Sequence, residues 1–304
     1  MLRKRALKKI YLATLVLFIM LITLTFDYHK EESVNIMEVE YIANLKTTHV
    51  YLLNSDNLLV KVDYLLRHDN LQDNVYDILN ELYVSNKKNS SLRGTIPSNT
   101  KINSIYLDNS LITIDFSDDL LKVNENMEEK VIESIVYSLI EFPSIKNVKI
   151  LINGKELTKL EKSNKNLPIL LNESIGINKT YYLNNLKDIE KVIIYYVCNI
   201  SENDYYVPVT KYLNSRDDKI KIIIDSLKSN YFSNTNLRSY LDSKSKIDFQ
   251  VDNDILTLTF DSLNNDNLES VTYSLASSIF DSTDIKKVIF EVDDRIIDIK
   301  SKVA

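Results

Sequence analysis

Few side chains in this sequence are of the types that carry out catalysis or bind metals and phosphates. The 304 residues include three His, one Cys and three Gly, and each Gly stands alone. These counts exclude a disulfide framework, a CxxC redox motif and a Cys/His zinc site. Dinucleotide and P-loop motifs need closely spaced glycines, so they are excluded as well. We therefore expect no cofactor and no catalytic residues.

The densest run of carboxylates near an ordered element is Asp115-Phe116-Ser117-Asp118-Asp119. Hard cations prefer several oxygen ligands at close spacing, so this run is a candidate cation site. Its spacing is not that of an EF-hand loop, and the alternative is a solvated strand end. We expect the solvated strand end and no bound metal.

Two further residues, His68 and Cys198, are of types that can be reactive. His68 precedes Asp69 and could form half of a catalytic pair, but no nucleophile elbow is present and the adjacency is only sequential. An exposed loop before a helix is the expected alternative. Cys198 ends the apolar strand pattern 192–197, and we expect it to fill space as a small apolar group.

Tyrosines occur in two adjacent pairs, Tyr195-Tyr196 and Tyr205-Tyr206. Aromatic residues are enriched at interfaces, so these pairs could form a flat surface for a glycan or a protein. In a β-rich stretch, half of such side chains face the core instead.

The amino terminus has the pattern of a membrane anchor. Residues 10–26 carry no charge, and five basic residues precede them. A helix of that length nearly spans a bilayer, and the positive-inside rule places residues 1–9 in the cytoplasm. Residues 1–26 therefore predict an uncleaved signal anchor, with a cleaved signal peptide as the alternative. Residues 27–48 are polar and are expected to form a tether.

The remainder of the chain is acidic. The net charge is −6, and residues 1–30 contain six basic residues and one acidic residue, so the rest carries −11. A body of that charge lacks the electrostatic footprint of a nucleic-acid-binding protein.

An internal repeat organises the chain: residues 49–157 can be aligned with residues 191–299. We therefore predict a first domain at 49–157, a linker at 158–190 and a second domain at 191–304. The matched blocks are 58–62 with 205–209, 77–82 with 222–227, 92–93 with 237–238, 112–116 with 256–260, 136–139 with 272–275, and 148–152 with 288–292.

Periodicity predicts the elements of each copy. Apolar residues at helical spacing indicate a helix from about residue 71, capped by Asp69 or Asn70, and a second helix with Asn126 and Glu129 as a capping box. The corresponding first helix of the second copy follows Asp217. Alternating residues indicate strands, and the triplets at 108–110 and 252–254 predict hairpin turns. Each copy has the order β-β-α-β-β-α-β, so we predict an α+β fold of two tandem two-layer sandwiches. In each, an antiparallel sheet is covered by two helices.

Three blocks of the first copy, in order, are similar to a known domain. They are LRGTIPSNT at 92–100, ITIDFS at 112–117, and EFPSIKNV at 141–148 leading to Gly154. The first copy thereby resembles the GerMN domain of GerM-like spore-formation and germination proteins. The residues that carry the resemblance, expected to be structural, are Gly94, Pro97, Thr100, Asp115, Phe116, Phe142 and Gly154.

The second copy is a degenerate version of the same pattern. It has Ser239 for Gly94, Asp242 for Pro97, Thr259 for Asp115 and Asp294 for Gly154. Many members of the family look like lipoproteins with a Cys after the signal, whereas this chain has no Cys there. That departure favours a transmembrane anchor over a lipid anchor.

The resemblance implies a non-enzymatic protein of the sporulation envelope, on the mother-cell side of the forespore. There it would help to assemble or stabilise the complex that links the two cells. The expected partners are the membrane, other envelope proteins and further copies of the chain. A peptidoglycan-binding module is the alternative. An envelope hydrolase is disfavoured, because the sequence shows no acid/base pair at usable spacing.

Overall fold

Nearly the same order of elements occurs twice along the chain, with one additional short strand in the second copy. The computed structural model describes residues 14–17, 46–84, 91–229, 235–263 and 265–302. The elements of the first copy are β1 (Thr47–Leu53), β2 (Leu59–Leu65), α1 (Leu71–Glu81), β3 (Ile102–Asp108), β4 (Leu111–Phe116), α2 (Glu125–Ile140), β5 (Asn147–Ile152) and β6 (Lys155–Glu156). A short strand, β7 (Thr180–Tyr182), precedes the second copy. The second copy has β8 (Ile189–Ile200), β9 (Asn203–Asn214), α3 (Lys219–Lys228), β10 (Leu237–Arg238), β11 (Ile247–Asp252), β12 (Ile255–Phe260), α4 (Leu268–Ser282), β13 (Lys287–Val292) and β14 (Arg295–Ser301).

The predicted membrane anchor falls almost wholly outside the described residues. Of residues 1–45, the structure describes only 14–17, which are helical and exposed. No described helix has the length and apolar character needed to cross a bilayer. The predicted tether at 27–48 also lies outside the described residues, except for its last three positions.

The first helix of each copy buries the apolar face that its spacing predicts. In α1, Val75, Ile78 and Leu79 are buried. Asn70 provides the cap, because its side chain accepts a hydrogen bond from the Asp73 amide at 2.8 Å. In α3 the burial is similar, and the helix follows Asp217 as expected. Its cap is Asp218, whose side chain accepts a hydrogen bond from the Ile220 amide at 2.7 Å.

The predicted capping box of α2 is wrong. The helix begins at Glu125 behind Asn124, which makes no side-chain cap bond. Asn126 lies inside the first turn, and the Glu129 carboxylate pairs with Lys165 and Lys179. The buried face of the helix is nevertheless the predicted one, with Val131, Ile135 and Leu139 in the core.

The hairpin turns are confirmed at both copies. Asn109 and Asn253 have φ of 53° and 55°, the left-handed conformation that Asn tolerates better than most residues. Each joins an antiparallel strand pair, β3 with β4 and β11 with β12.

The mixed α+β class is confirmed, but the prediction of one antiparallel sheet per copy is wrong. In the first copy, β3-β4-β5-β6 form a four-stranded sheet in which β4 and β5 are parallel. The second copy repeats this with β11-β12-β13-β14, where β12 and β13 are parallel. The parallel pairs arise because α2 and α4 cross over between their strands, which a tight hairpin cannot do.

The first two strands of each copy belong instead to a sheet that the copies share. Its order is β1-β2-β9-β8-β10, with β7 added in parallel to β9. Residues from Lys46 onward consequently form one compact unit. Each copy keeps its own apolar core, and a smaller cluster of Tyr51, Leu53, Leu59, Tyr137 and Ile177 lies between β1, α2 and the connecting segment.

The predicted linker at 158–190 does more than connect the two copies, because part of it packs into the fold. Leu160, Leu171 and Ile177 are buried, and β7 pairs with β9. Other apolar side chains of the segment are exposed, among them Ile169, Leu170 and Leu186, so only part of it contributes to the core.

Candidate functional site

A cluster of ionisable groups surrounds Glu141, directly after the end of α2. Nδ1 of His49 lies 2.6 Å from one carboxylate oxygen of Glu141. The Tyr51 hydroxyl donates to the other oxygen at 2.6 Å, and the Lys61 ammonium lies 3.2 Å from it. His49 and Tyr51 are two residues apart on β1, so they point to the same side of the strand. Lys61 is the β2 residue directly opposite Tyr51.

These contacts fix the charge of each group. Burial alone would raise the pKa of Glu141, but the hydrogen bonds from His49 and Tyr51 and the charge of Lys61 lower it to about 2. Burial would lower the pKa of Lys61, but the Glu141 charge outweighs it and raises that pKa. Burial and the same carboxylate raise the pKa of Tyr51. At neutral pH the cluster holds a carboxylate, an ammonium and a neutral phenol.

The second copy contains an equivalent pair at the same place in its fold. The Tyr195 hydroxyl on β8 donates to Asp281 on α4 at 2.6 Å. Burial raises the pKa of Asp281, opposite to the shift at Glu141, although the Tyr195 hydrogen bond and the Lys61 charge partly offset it. The Lys61 ammonium lies 5.9 Å from the centre of the Tyr195 ring, so the two clusters adjoin across the shared sheet.

This equivalence corrects the alignment of the second helices. The Tyr51 amide donates to Ser138 Oγ at 3.0 Å, and the Tyr195 amide donates to Ser278 Oγ at 2.9 Å. Ser138 therefore corresponds to Ser278, whereas block 136–139 was matched to 272–275. The sequence match is one helical turn out of register. The cause is that Tyr-Ser-Leu occurs both at 137–139 and at 273–275.

A second buried polar group lies at Asn178, in the connecting segment. Its side-chain nitrogen donates to the carbonyls of Leu59 and Pro208, each at 2.8 Å, and its side-chain oxygen accepts from the Leu59 amide at 2.9 Å. Leu59 belongs to β2 of the first copy and Pro208 to β9 of the second. Asn178 thus joins strands of both copies.

The cluster around Glu141 and the contacts of Asn178 both consist of hydrogen bonds and ion pairs that stabilise the fold. At His49, Nε2 lies 3.3 Å from Asp63 while Nδ1 faces Glu141, so both ring nitrogens are engaged by carboxylates. The Ser138 hydroxyl oxygen accepts a hydrogen bond from the Tyr51 main chain, and Ser138 is not one of the residues described above as contacting His49. Across the described ranges, no three His, Cys, Asp or Glu side chains are placed to hold a metal ion.

Three motif residues lie around one turn after α1. A β-carbon on Gly94 would overlap the carbonyl oxygens of Leu82 and Tyr83. Glycine at this position lets the chain approach the end of the helix closely, and the following two amides donate to the Leu82 carbonyl at 2.8 Å. The Pro97 carbonyl accepts from the Thr100 amide at 3.0 Å, and Thr100 is buried.

The remaining motif residues lie in the β4–β5 region and the first core. Asp115 accepts a hydrogen bond from the Gly154 amide at 2.9 Å, and Gly154 has φ of 79° in the turn after β5. Phe116 and Phe142 are both buried in the core of the first copy. Asp294, which replaces Gly154 in the second copy, also has a left-handed φ, 59°.

The other residues considered from the sequence have ordinary partners. Asp118 and Asp119 both pair with Lys122, at 3.5 and 2.7 Å. His68 pairs with Asp77 at 3.2 Å, whereas Asp69 faces Lys46 at 4.0 Å. Cys198 is buried, and burial raises its thiol pKa.

Of the tyrosine pairs, Tyr195 and Tyr196 are buried and cannot form a surface. Tyr205 and Tyr206 are half-buried, and the Tyr206 ring stacks on Tyr273 with centroids 3.8 Å apart. An exposed aromatic pair occurs elsewhere: Tyr181, 61% exposed, stacks on Tyr212 at 5.1 Å.

His49, Lys61, Glu141 and Asn178 were not predicted from the sequence as functional or structural sites. One local signal was available, since Lys61 lies between the apolar residues Val60 and Val62 of a strand. Nothing local distinguishes Asn178 from the many other Asn residues of the chain.

Comparison with known proteins gives matches to both copies. A family model described as "Germane: Sporulation and spore germination" matches residues 49–158. The spore germination protein GerM of Bacillus subtilis (strain 168) is 31% identical over 140 residues, which are 45% of this chain. That alignment spans only 38% of the GerM protein. The solved tandem GerMN domains of the sporulation protein GerM from Bacillus subtilis superpose with a TM-score of 0.71 at 22% identity, covering 83% of this chain and 92% of that one. The superposition shows that the folds agree.

Proposed function

We propose that this chain, whose residues 49–158 match the sporulation and spore-germination family and which is similar to GerM, is a non-enzymatic, membrane-anchored protein of the sporulation envelope. In this role it helps to assemble or stabilise the complex between mother cell and forespore through protein–protein contacts. The observation that carries the proposal is the match of residues 49–158 to the sporulation and germination family.

The proposed location rests on residues 1–26. Their basic start and uncharged stretch have the pattern of a signal anchor, which would hold the two copies outside the cytoplasm. In a sporangium this corresponds to the mother-cell side of the space between the two membranes.

The contact surface that we propose for partners is the edge strand β3. Among the strands that the structure describes it pairs with β4 alone, and its Tyr106 is 65% exposed. Its first six residues carry no charge, although charged residues commonly protect edge strands from pairing with other chains. Strand addition to such an edge is an established mode of protein recognition.

Photo-crosslinking in sporulating cells tests this proposal. We would replace Tyr106 by a photoreactive phenylalanine, with Tyr76 on α1 as the matched exposed control. Capture of envelope or sporulation proteins from position 106, at higher yield than from position 76, would support the assembly role. Capture of wall material alone would contradict it.

Peptidoglycan binding is the second candidate, favoured by the exposed Tyr181 ring stacked on Tyr212. Saturable binding of the full chain to purified peptidoglycan, weakened by Tyr181→Ala and unaffected by Tyr76→Ala, would support it. Clearing of a peptidoglycan zymogram would instead indicate a hydrolase and overturn the non-enzymatic assignment.

A further inference from the structure

The junction between the copies runs along one edge of β9. Lys61 on β2 is the register partner of Tyr206 on β9. Two residues further along, β9 carries Pro208, which has no amide hydrogen to donate. A main-chain ladder between β2 and β9 cannot continue through that position.

The Asn178 side chain occupies the place where the ladder stops. It donates to the Pro208 carbonyl, and it both donates to and accepts from the main chain of Leu59. The residue is 2% exposed. Its side-chain amide therefore makes the hydrogen bonds that a main-chain peptide group would make between two paired strands.

Neighbouring contacts hold Asn178 in this position. Its own amide donates to Glu133 on α2 at 3.0 Å, and the Lys130 ammonium donates to its side-chain oxygen at 2.7 Å. The preceding residue, Ile177, exchanges hydrogen bonds with Thr210 on β9, through the hydroxyl at 2.9 Å and the main chain at 2.8 Å. Asn178 has φ of 48°, which Asn adopts at low cost.

We propose that Asn178 is a latch that fixes the orientation of the two copies, so that the protein acts as one rigid body with two domains. Removing its amide leaves the main-chain groups of Leu59 and the Pro208 carbonyl buried without these partners, which favours separation of β2 from β9 and entry of water. The inference concerns the isolated chain and holds whichever partner the protein has.

Electron–electron distance measurements on the full chain in detergent test the latch. Spin labels would be attached to Tyr106→Cys in the first copy and Ile296→Cys in the second, both at exposed positions. Cys198 is buried, and Cys198→Ser removes it as a competing site. The variant is Asn178→Ala. The matched control is Asn164→Ala, since Asn164 lies in the same segment with φ of 57° and is exposed.

We expect a narrow distance distribution in the parent and in Asn164→Ala. In Asn178→Ala it should be about twofold broader, as for a pair of domains that samples several orientations. An equally narrow distribution in Asn178→Ala would overturn the proposal. If circular dichroism shows that variant to be unfolded, the measurement is made on Asn178→Asp, which keeps the size of the side chain but places a carboxylate against two carbonyls. A broader distance distribution in Asn178→Asp would then support the proposal, and an equally narrow one would overturn it. Because no partner is present, the result is independent of the proposed envelope function.

Discussion

The Tyr195 hydroxyl donates a 2.6 Å hydrogen bond to Asp281, and this pair repeats in the second copy the contact of Tyr51 with Glu141 in the first. The two hydrogen bonds have the same length, but the charged groups around the two carboxylates differ. Glu141 gains His49 and the nearby Lys61 ammonium, whereas Asp281 is governed by burial. Equivalent carboxylates therefore have pKa shifts of opposite sign.

Glu141→Gln should destabilise the protein by about 3 kcal/mol at neutral pH, because it leaves the buried Lys61 ammonium without its carboxylate. The pH dependence follows from the pKa of about 2, below the ordinary 4.5. The unfolded chain takes up this proton first, so the stabilising contribution is complete above pH 4.5 and is lost as pH falls toward 2. Urea unfolding at pH 7 and pH 3.5 measures both effects. Equal stability of variant and parent at pH 7 would contradict the assignment.

Asp281→Asn should change the free energy of unfolding by less than about 1 kcal/mol at pH 7, since Asn still accepts from Tyr195. The raised pKa means that the folded state holds the proton more tightly than the unfolded chain. That contribution is full below the ordinary pKa of 3.8 and is lost as pH rises through the folded value. The same urea series checks this, with Glu141→Gln as the contrasting variant. A loss as large as that of Glu141→Gln would show that Asp281 is an essential ion-pair partner.

Gly94→Ala should cost about 3 kcal/mol, because the added methyl overlaps two main-chain carbonyls that cannot easily move. Gly154→Ala is the matched control. Its β-carbon would meet nothing within 4 Å, and the left-handed φ costs only about 1 kcal/mol. Thermal or urea unfolding compares the two variants. The close-approach explanation fails if they lose equal stability.

Lys211→Met should remove a rise of stability with pH that the parent protein shows above pH 8. Lys211 is buried between the rings of Tyr182 and Tyr196, and burial lowers its pKa to about 8. The folded state gives up this proton before the unfolded chain does, so stability should rise with pH between 8 and 10.5 in the parent and not in the variant. Urea unfolding at pH 7 and pH 9 tests this. An equal rise of stability with pH in Lys211→Met would contradict the assignment of this titration to Lys211.

Local features were predictable from the sequence because they depend on neighbours in the chain. The apolar face of α1, the Asn70 cap and the Asn109 and Asn253 turns follow from helical spacing and from the tolerance of Asn for left-handed φ.

Pairing between distant segments was not predictable in the same way. The alternation in β4 and β5 shows which side chains face the core, but it does not show whether the strands run parallel. The helix alignment failed because apolar residues repeat about every turn, so a match displaced by four residues still looks good. The junction at Asn178 and Lys61 depends on where Pro208 interrupts a sheet that is visible only in three dimensions.

A shared sheet joins the two copies of the module into a single body. Differential scanning calorimetry of the unmodified chain measures whether the two copies unfold together. We predict one unfolding transition whose calorimetric and van 't Hoff enthalpies agree. Two resolved transitions, one for each copy, would contradict it.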